Sequence, residues 1–71
     1  MAVDWTNVFS SNVNRIGYDD EAETLLVEWK SGKTSAYEGV PPDVADQASR
    51  NWSVGRFVND HVKNNYRHKY V

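Results

Sequence analysis

Cysteine is absent from this 71-residue chain, so neither a disulfide framework nor a thiolate zinc site supports the fold, and a reducing compartment is favoured. No apolar run approaches the roughly 20 residues that span a bilayer. The start MAVDWTNVFSS also lacks a basic stretch leading into an apolar one. The expectation is a soluble, unexported, cytoplasmic protein that does not bind membranes. Catalytic signatures are missing too: there is no Gly-x-Ser-x-Gly elbow, no glycine-rich phosphate loop and no His-Glu-x-x-His. His61 and His68, and the cluster Asp19, Asp20, Glu21 and Glu23, have neither zinc nor EF-hand spacing. Ser10 and Ser11 read as backbone hydrogen bonders rather than nucleophiles. No enzyme activity, metal or cofactor is expected.

What the chain does have is aromatic surface. Nine aromatic residues within a 39% hydrophobic composition are too many for a disordered polar chain. Residues 1–71 are expected to form one domain with one modest core and a loosely packed N-terminus over residues 1–7. Charge is uneven along the chain. Residues 1–49 carry nine carboxylates against Arg15, Lys30 and Lys33, or −6, while residues 50–71 carry five cations against Asp60, or +4. If the fold keeps the halves apart, the molecule has an acidic and a basic region.

Hydrophobic periodicity predicts an α+β fold: a three-stranded antiparallel β-meander followed by two short helices, with a short C-terminal extended segment. The strands are read at residues 12–18, 24–30 and 33–38, with Leu25, Val27 and Trp29 on the core face. Gly17 marks a bulge or a close backbone approach. Ser31-Gly32 reads as a two-residue hairpin turn. Pro42 opens a helix over 42–51, and Ser53 caps a second over 54–64, stopped at Asn64-Asn65. The expected core is Ile16, Tyr18, Leu25, Val27, Trp29, Tyr37, Val40, Val44, Ala48, Phe57 and Val62. His61 falls within the apolar stripe Phe57, Val58 and Val62, which predicts a packed imidazole with its pKa below the usual value. The tail from Tyr66 to Val71 reads as an extended edge or a frayed end.

Val8-Phe9-Ser10-Ser11-Asn12-Val13, Ile16-Gly17-Tyr18-Asp19 and the run from Leu25 to Gly32 form an ordered set. It continues with Tyr37-Glu38-Gly39-Val40-Pro41, Ser53-Val54-Gly55-Arg56-Phe57-Val58-Asn59, Val62 and Tyr66. This set resembles the KTSC domain, a small module that also occurs at the C-terminus of some lysyl-tRNA synthetases. The resemblance covers nearly all the chain after residue 7 and includes all four glycines. It departs at Ser35-Ala36-Tyr37, where the family has Tyr-x-Tyr. It implies the α+β fold and, through the synthetase context, RNA binding by a bacterial or phage protein.

Two partner classes follow. Arg56, Lys63, Arg67 and Lys69, interleaved with Tyr66 and Tyr70, suit RNA or single-stranded nucleic acid, because cations attract phosphates while aromatic faces stack on unpaired bases. In this reading the hairpin lysines Lys30 and Lys33 matter less. The alternative is a protein-interaction module, docking a partner protein through a sheet edge or through Trp5, Phe9 or Trp52. A monomer is expected in either case.

Overall fold

The structure, a computed structural model, describes residues 3–8, 10–50 and 53–71. The alternating segments form strands β2 (Val13–Asp19), β3 (Thr24–Trp29) and β4 (Thr34–Glu38), close to the predicted ranges. Two further strands make the sheet five-stranded rather than three-stranded. These are β1 (Asp4–Asn7), in the segment expected to be loose, and β5 (Arg67–Tyr70), in the tail. The order is β1-β2-β3-β4-β5, antiparallel throughout. Both added strands are four residues long and exposed along their whole length; β5 is the extended edge expected for the tail, whereas β1 has no apolar alternation to mark it. Backbone pairing at the sheet edges holds them in place.

Helices α1 (Pro42–Arg50) and α2 (Val54–Phe57) connect β4 to β5, and α2 continues as a π-helical turn over Val58–Val62. They cover one face of the sheet. Val13, Ile16, Leu25, Val27 and Tyr37 from the sheet pack in one buried cluster with Val40, Ala45, Ala48, Val54, Val58 and Val62. Tyr18, Trp29, Val44 and Phe57, expected in the core, are half-buried against it. The Tyr18 hydroxyl donates to Val40 O at 2.6 Å, and Val40 N donates to Glu23 O at 2.8 Å. These two bonds tie the β2–β3 turn to the entry of α1.

Val13 and Ile16 are three residues apart, and a regular strand would send them to opposite faces. The register shift between Val13 and Arg15 inserts Asn14 as an extra residue, and both side chains then turn inward. The bulge is therefore at Asn14, and Gly17 is the close approach. A Cβ on Gly17 would lie 2.7 Å from Val3 Cγ1 and 2.8 Å from Trp5 Cε3. Trp5 lies flat across the uncovered face of the sheet. The Arg15 guanidinium sits 4.0 Å from its ring centroid and binds Glu28 through two bonds of 3.1 Å.

Three local expectations change. The β3–β4 turn has three loop residues, Lys30-Ser31-Gly32: Gly32 N donates to Trp29 O, and Trp29 N to Lys33 O. Gly32 takes the left-handed position at φ 97°, which is the three-residue hairpin with a glycine bulge. The chain leaves the second helix without a left-handed Asn; the Asn65 side chain instead donates to His61 O at 2.7 Å. Ser53 N-caps α2 through its carbonyl, which accepts from Phe57 N, and makes no side-chain capping bond.

His61 is exposed, with its ring 4.9 Å from that of Phe57. The π turn is the reason. Lys63 N donates to Val58 O at 2.7 Å, an i→i+5 bond, and each residue of such a turn advances by roughly 80° rather than the 100° of an α-helix. Val54, Val58 and Val62 then share the buried side, while His61 rotates away from it.

Replacing Gly17 with alanine is expected to lift Trp5 and cost about 1–2 kcal/mol in urea unfolding. With Val3 and Trp5 both changed to alanine the same change should cost nearly nothing. An equal cost in both backgrounds would remove the contact as its cause.

Candidate functional site

The loop before β2 and the β3–β4 hairpin are locked side by side. Ser10 Oγ accepts from Asn12 N and Val13 N, and Asn12 O accepts from Lys30 N at 2.8 Å. On the other side of the hairpin, β5 pairs with β4 and sets Tyr70 opposite Ser35 and His68 opposite Tyr37. Between these walls opens a cleft of about 440 Å³, lined by Ser11, Asn12, Trp29, Lys30, Ser31, Lys33 and Tyr70.

The Trp29 indole is fixed by donating Nε1 to Ser35 Oγ at 2.8 Å. Tyr70 is 64% exposed. His68 meets the Tyr70 ring edge-on at 4.7 Å and lies 5.0 Å from Tyr37, giving a short row of rings. Lys33 Nζ stands 5.4 Å from the Tyr70 centroid. Ser35, where the sequence departs from the resemblance, is buried.

The ion pairs among the described residues engage Arg15, Arg50, Arg56 and Lys69; Lys30, Lys33, Lys63 and Arg67 are in none of them, and of these four Lys30 and Lys33 line the cleft. Toward the other end of the strands, a smaller cleft of about 190 Å³ carries Asp4 and Asp46 above Ile16 and Ala45. The hairpin cleft thus offers two unpaired cations beside an exposed ring, a combination suited to an anion attached to a flat group.

The six residues selected from sequence fall on separate surfaces. Arg56 is exposed on α2 and pairs with Asp60 at 3.7 Å; Lys63 is exposed at the end of the π turn. Tyr66 is half-buried against the core. Arg67 and Lys69 alternate onto the face of the sheet away from the helices, where Lys69 lies 3.3 Å from Glu38. Among the six, Tyr70 alone lines the cleft. From the sequence, Lys30 and Lys33 are expected to matter less and Trp29 to serve only the core. The two lysines flanking Ser31-Gly32 were a usable signal; the β4–β5 pairing that brings Tyr70 to them was not. Trp5 stays on the outer sheet face, whereas Phe9 and Trp52, the other proposed anchors, lie outside the described residues.

The architecture is a small α+β unit with an antiparallel sheet, one helical layer and a lysine-flanked aromatic cleft. No helix among the described residues is long and apolar enough to cross a membrane. The family model for the KTSC domain matches residues 9–66, and the chain belongs to that family. It is 40% identical to a protein of Tsukamurella paurometabola over 84% of this chain and 90% of that one. It is 41% identical to an uncharacterized protein of Stutzerimonas stutzeri over 76% of each. The crystal structure of a KTSC domain protein from Yersinia pestis superposes with a TM-score of 0.90, at 27% identity and 99% coverage of both chains.

Burial holds the Tyr37 phenol above its usual pKa, an effect partly offset by a hydrogen bond from Ser35. Tyr18 is raised by desolvation and then by Glu23, Asp20, Asp43 and Asp19. Both phenols stay neutral in the fold at pH values where the unfolded chain ionises. Stability should therefore be unaffected by them below pH about 10 and should fall as pH rises through the folded values. Denaturant midpoints measured across this range, with phenolate absorbance followed in parallel, check the sign; a midpoint that rises above pH 10 would contradict it.

Proposed function

We propose that this KTSC domain is a non-enzymatic binding module that takes single-stranded nucleic acid at the hairpin cleft. The observation that carries the reading is the convergence of Lys30, Lys33 and the exposed Tyr70 ring on one cleft of about 440 Å³, in the size range of small-ligand sites. Phosphates would meet the lysines and a base the aromatic surface, with Asn12, Ser11 and Ser31 able to hydrogen-bond sugar or base edges. The open face of the sheet is a poorer platform, because Trp5 is covered by Arg15 on one side and rests on Gly17 on the other. Arg56, Lys63, Arg67 and Lys69 contribute long-range attraction under this reading rather than the contact itself.

A protein partner is the second reading. β5 is an edge strand, and the bond from Val71 N to Thr34 O sets a register that turns the backbone groups of His68 and Tyr70 outward. That edge could accept an added strand, although Arg67 and Lys69 beside it resemble the charges that guard edges against pairing.

Salt-dependent titration with single-stranded RNA, single-stranded DNA and duplex separates the readings. Binding to the single strands should weaken with salt by a log–log slope of roughly −0.7 per phosphate engaged. Changing Lys30 and Lys33 together to alanine should lower affinity about tenfold and flatten the slope by roughly 0.7 per lysine. The pair Lys63→Ala and Arg67→Ala should matter less. Absence of binding at low salt, or a larger loss from the second pair, would remove the cleft as the site.

A further inference from the structure

Lys33 occupies two roles that cannot be filled at once. Its ammonium stands over the Tyr70 ring, 5.4 Å from the centroid. A base stacking on that face would have to take its place, while the His68 ring stands near-perpendicular to Tyr70 at 4.7 Å. Yet Lys33 is also one of the two cleft cations available to a phosphate. The magnitudes favour exchange: a cation over an exposed ring is among the weaker aromatic contacts, whereas base stacking on an aromatic side chain is stronger. The backbone beneath is not free to adjust. Lys33 O accepts from Trp29 N, and Gly32 N donates to Trp29 O, so the hairpin holds the lysine root while its four-carbon stem can swing. Lys30, at the other end of the same loop, is tied through its own N–H to Asn12 O.

We propose that Lys33 is a displaceable cover of Tyr70: an unpaired base enters by pushing the ammonium off the ring, and the freed ammonium takes the phosphate attached to that base. The inference rests on the cleft being a nucleic-acid site and adds how it discriminates. A base without phosphate must displace Lys33 and gains stacking alone, with no ion pair to replace the lost cation contact. A nucleotide recovers the lost contact as an ion pair. The cleft therefore selects phosphate-bearing, unpaired nucleotides over free nucleosides, and the selection resides in one side chain.

The test is a change of sign. Affinity for adenosine, which has no phosphate, is followed by the NMR shift of the Trp29 indole N–H, which lines the cleft and is present in every variant, and affinity for a short single-stranded oligoadenylate by titration. In Lys33→Ala the oligonucleotide should bind several-fold more weakly, while adenosine should bind about two- to five-fold more tightly, the cover being gone. In the double variant Lys33→Ala and Tyr70→Leu the adenosine gain should vanish. Lys33 is exposed, so the fold should survive, and far-UV circular dichroism checks this. If the wild type binds the strand but adenosine binds the Lys33 variant no better, the cover is refuted and the cleft reading stands. If the wild type binds no strand at all, both are refuted.

Discussion

The bulge at Asn14 resolves a conflict of period that both the core and the cleft depend on. Val13 and Ile16 must share the buried face, yet their spacing denies this to a regular strand. Absorbing one residue between Val13 and Arg15 restores agreement, leaving Val13 opposite Trp29 and Arg15 opposite Glu28. On the inner side, Val13 then joins Leu25, Val27 and the Val54–Val58–Val62 row. On the outer side, Arg15 can reach both Glu28 and Trp5. Just before the bulge, Asn12 falls beside the hairpin, where its carbonyl takes the Lys30 N–H and forms one wall of the cleft.

The two edge strands use this frame differently. β1 is fastened by Trp5, which folds back over Gly17 instead of projecting from the edge. β5 is fastened by pairing with β4 and by the ring row from Tyr37 through His68 to Tyr70. The second arrangement leaves an aromatic face exposed next to two lysines, and the first does not. Here a pair of cations from the acidic half, Lys30 and Lys33, meets an aromatic from the basic half.

Much of the centre of this fold could be read from residue order. The strands at Ile16, Leu25, Val27 and Tyr37 announce themselves by alternation, and Pro42 marks the first helix. Of the edges, the tail is legible as an extended segment by its alternation of rings and charges, and β5 lies there, whereas Asp4–Asn7 carries no buried face and its pairing leaves no hydrophobic trace. His61 was misplaced because a period of 3.6 cannot foresee a π turn. Arg56, Lys63 and Arg67 are neighbours only if one helix continues through all of them, but the chain turns at residues 63–65 and enters β5. Tyr70 was selected for its composition, and its position beside Lys33 comes from strand pairing between residues far apart in the chain.

Whether nucleic acid meets the hairpin cleft or the helix face is decided by backbone amide shifts of the isotopically labelled protein, followed through a titration with single-stranded RNA at low salt. With the cleft as the binding surface, the largest changes fall on Ser11, Asn12, Lys30, Ser31, Gly32, Lys33 and Tyr70, with Arg56 and Lys63 nearly still. Changes centred on Arg56 through Lys63, or on the outer face around Trp5 and Arg15, would contradict it.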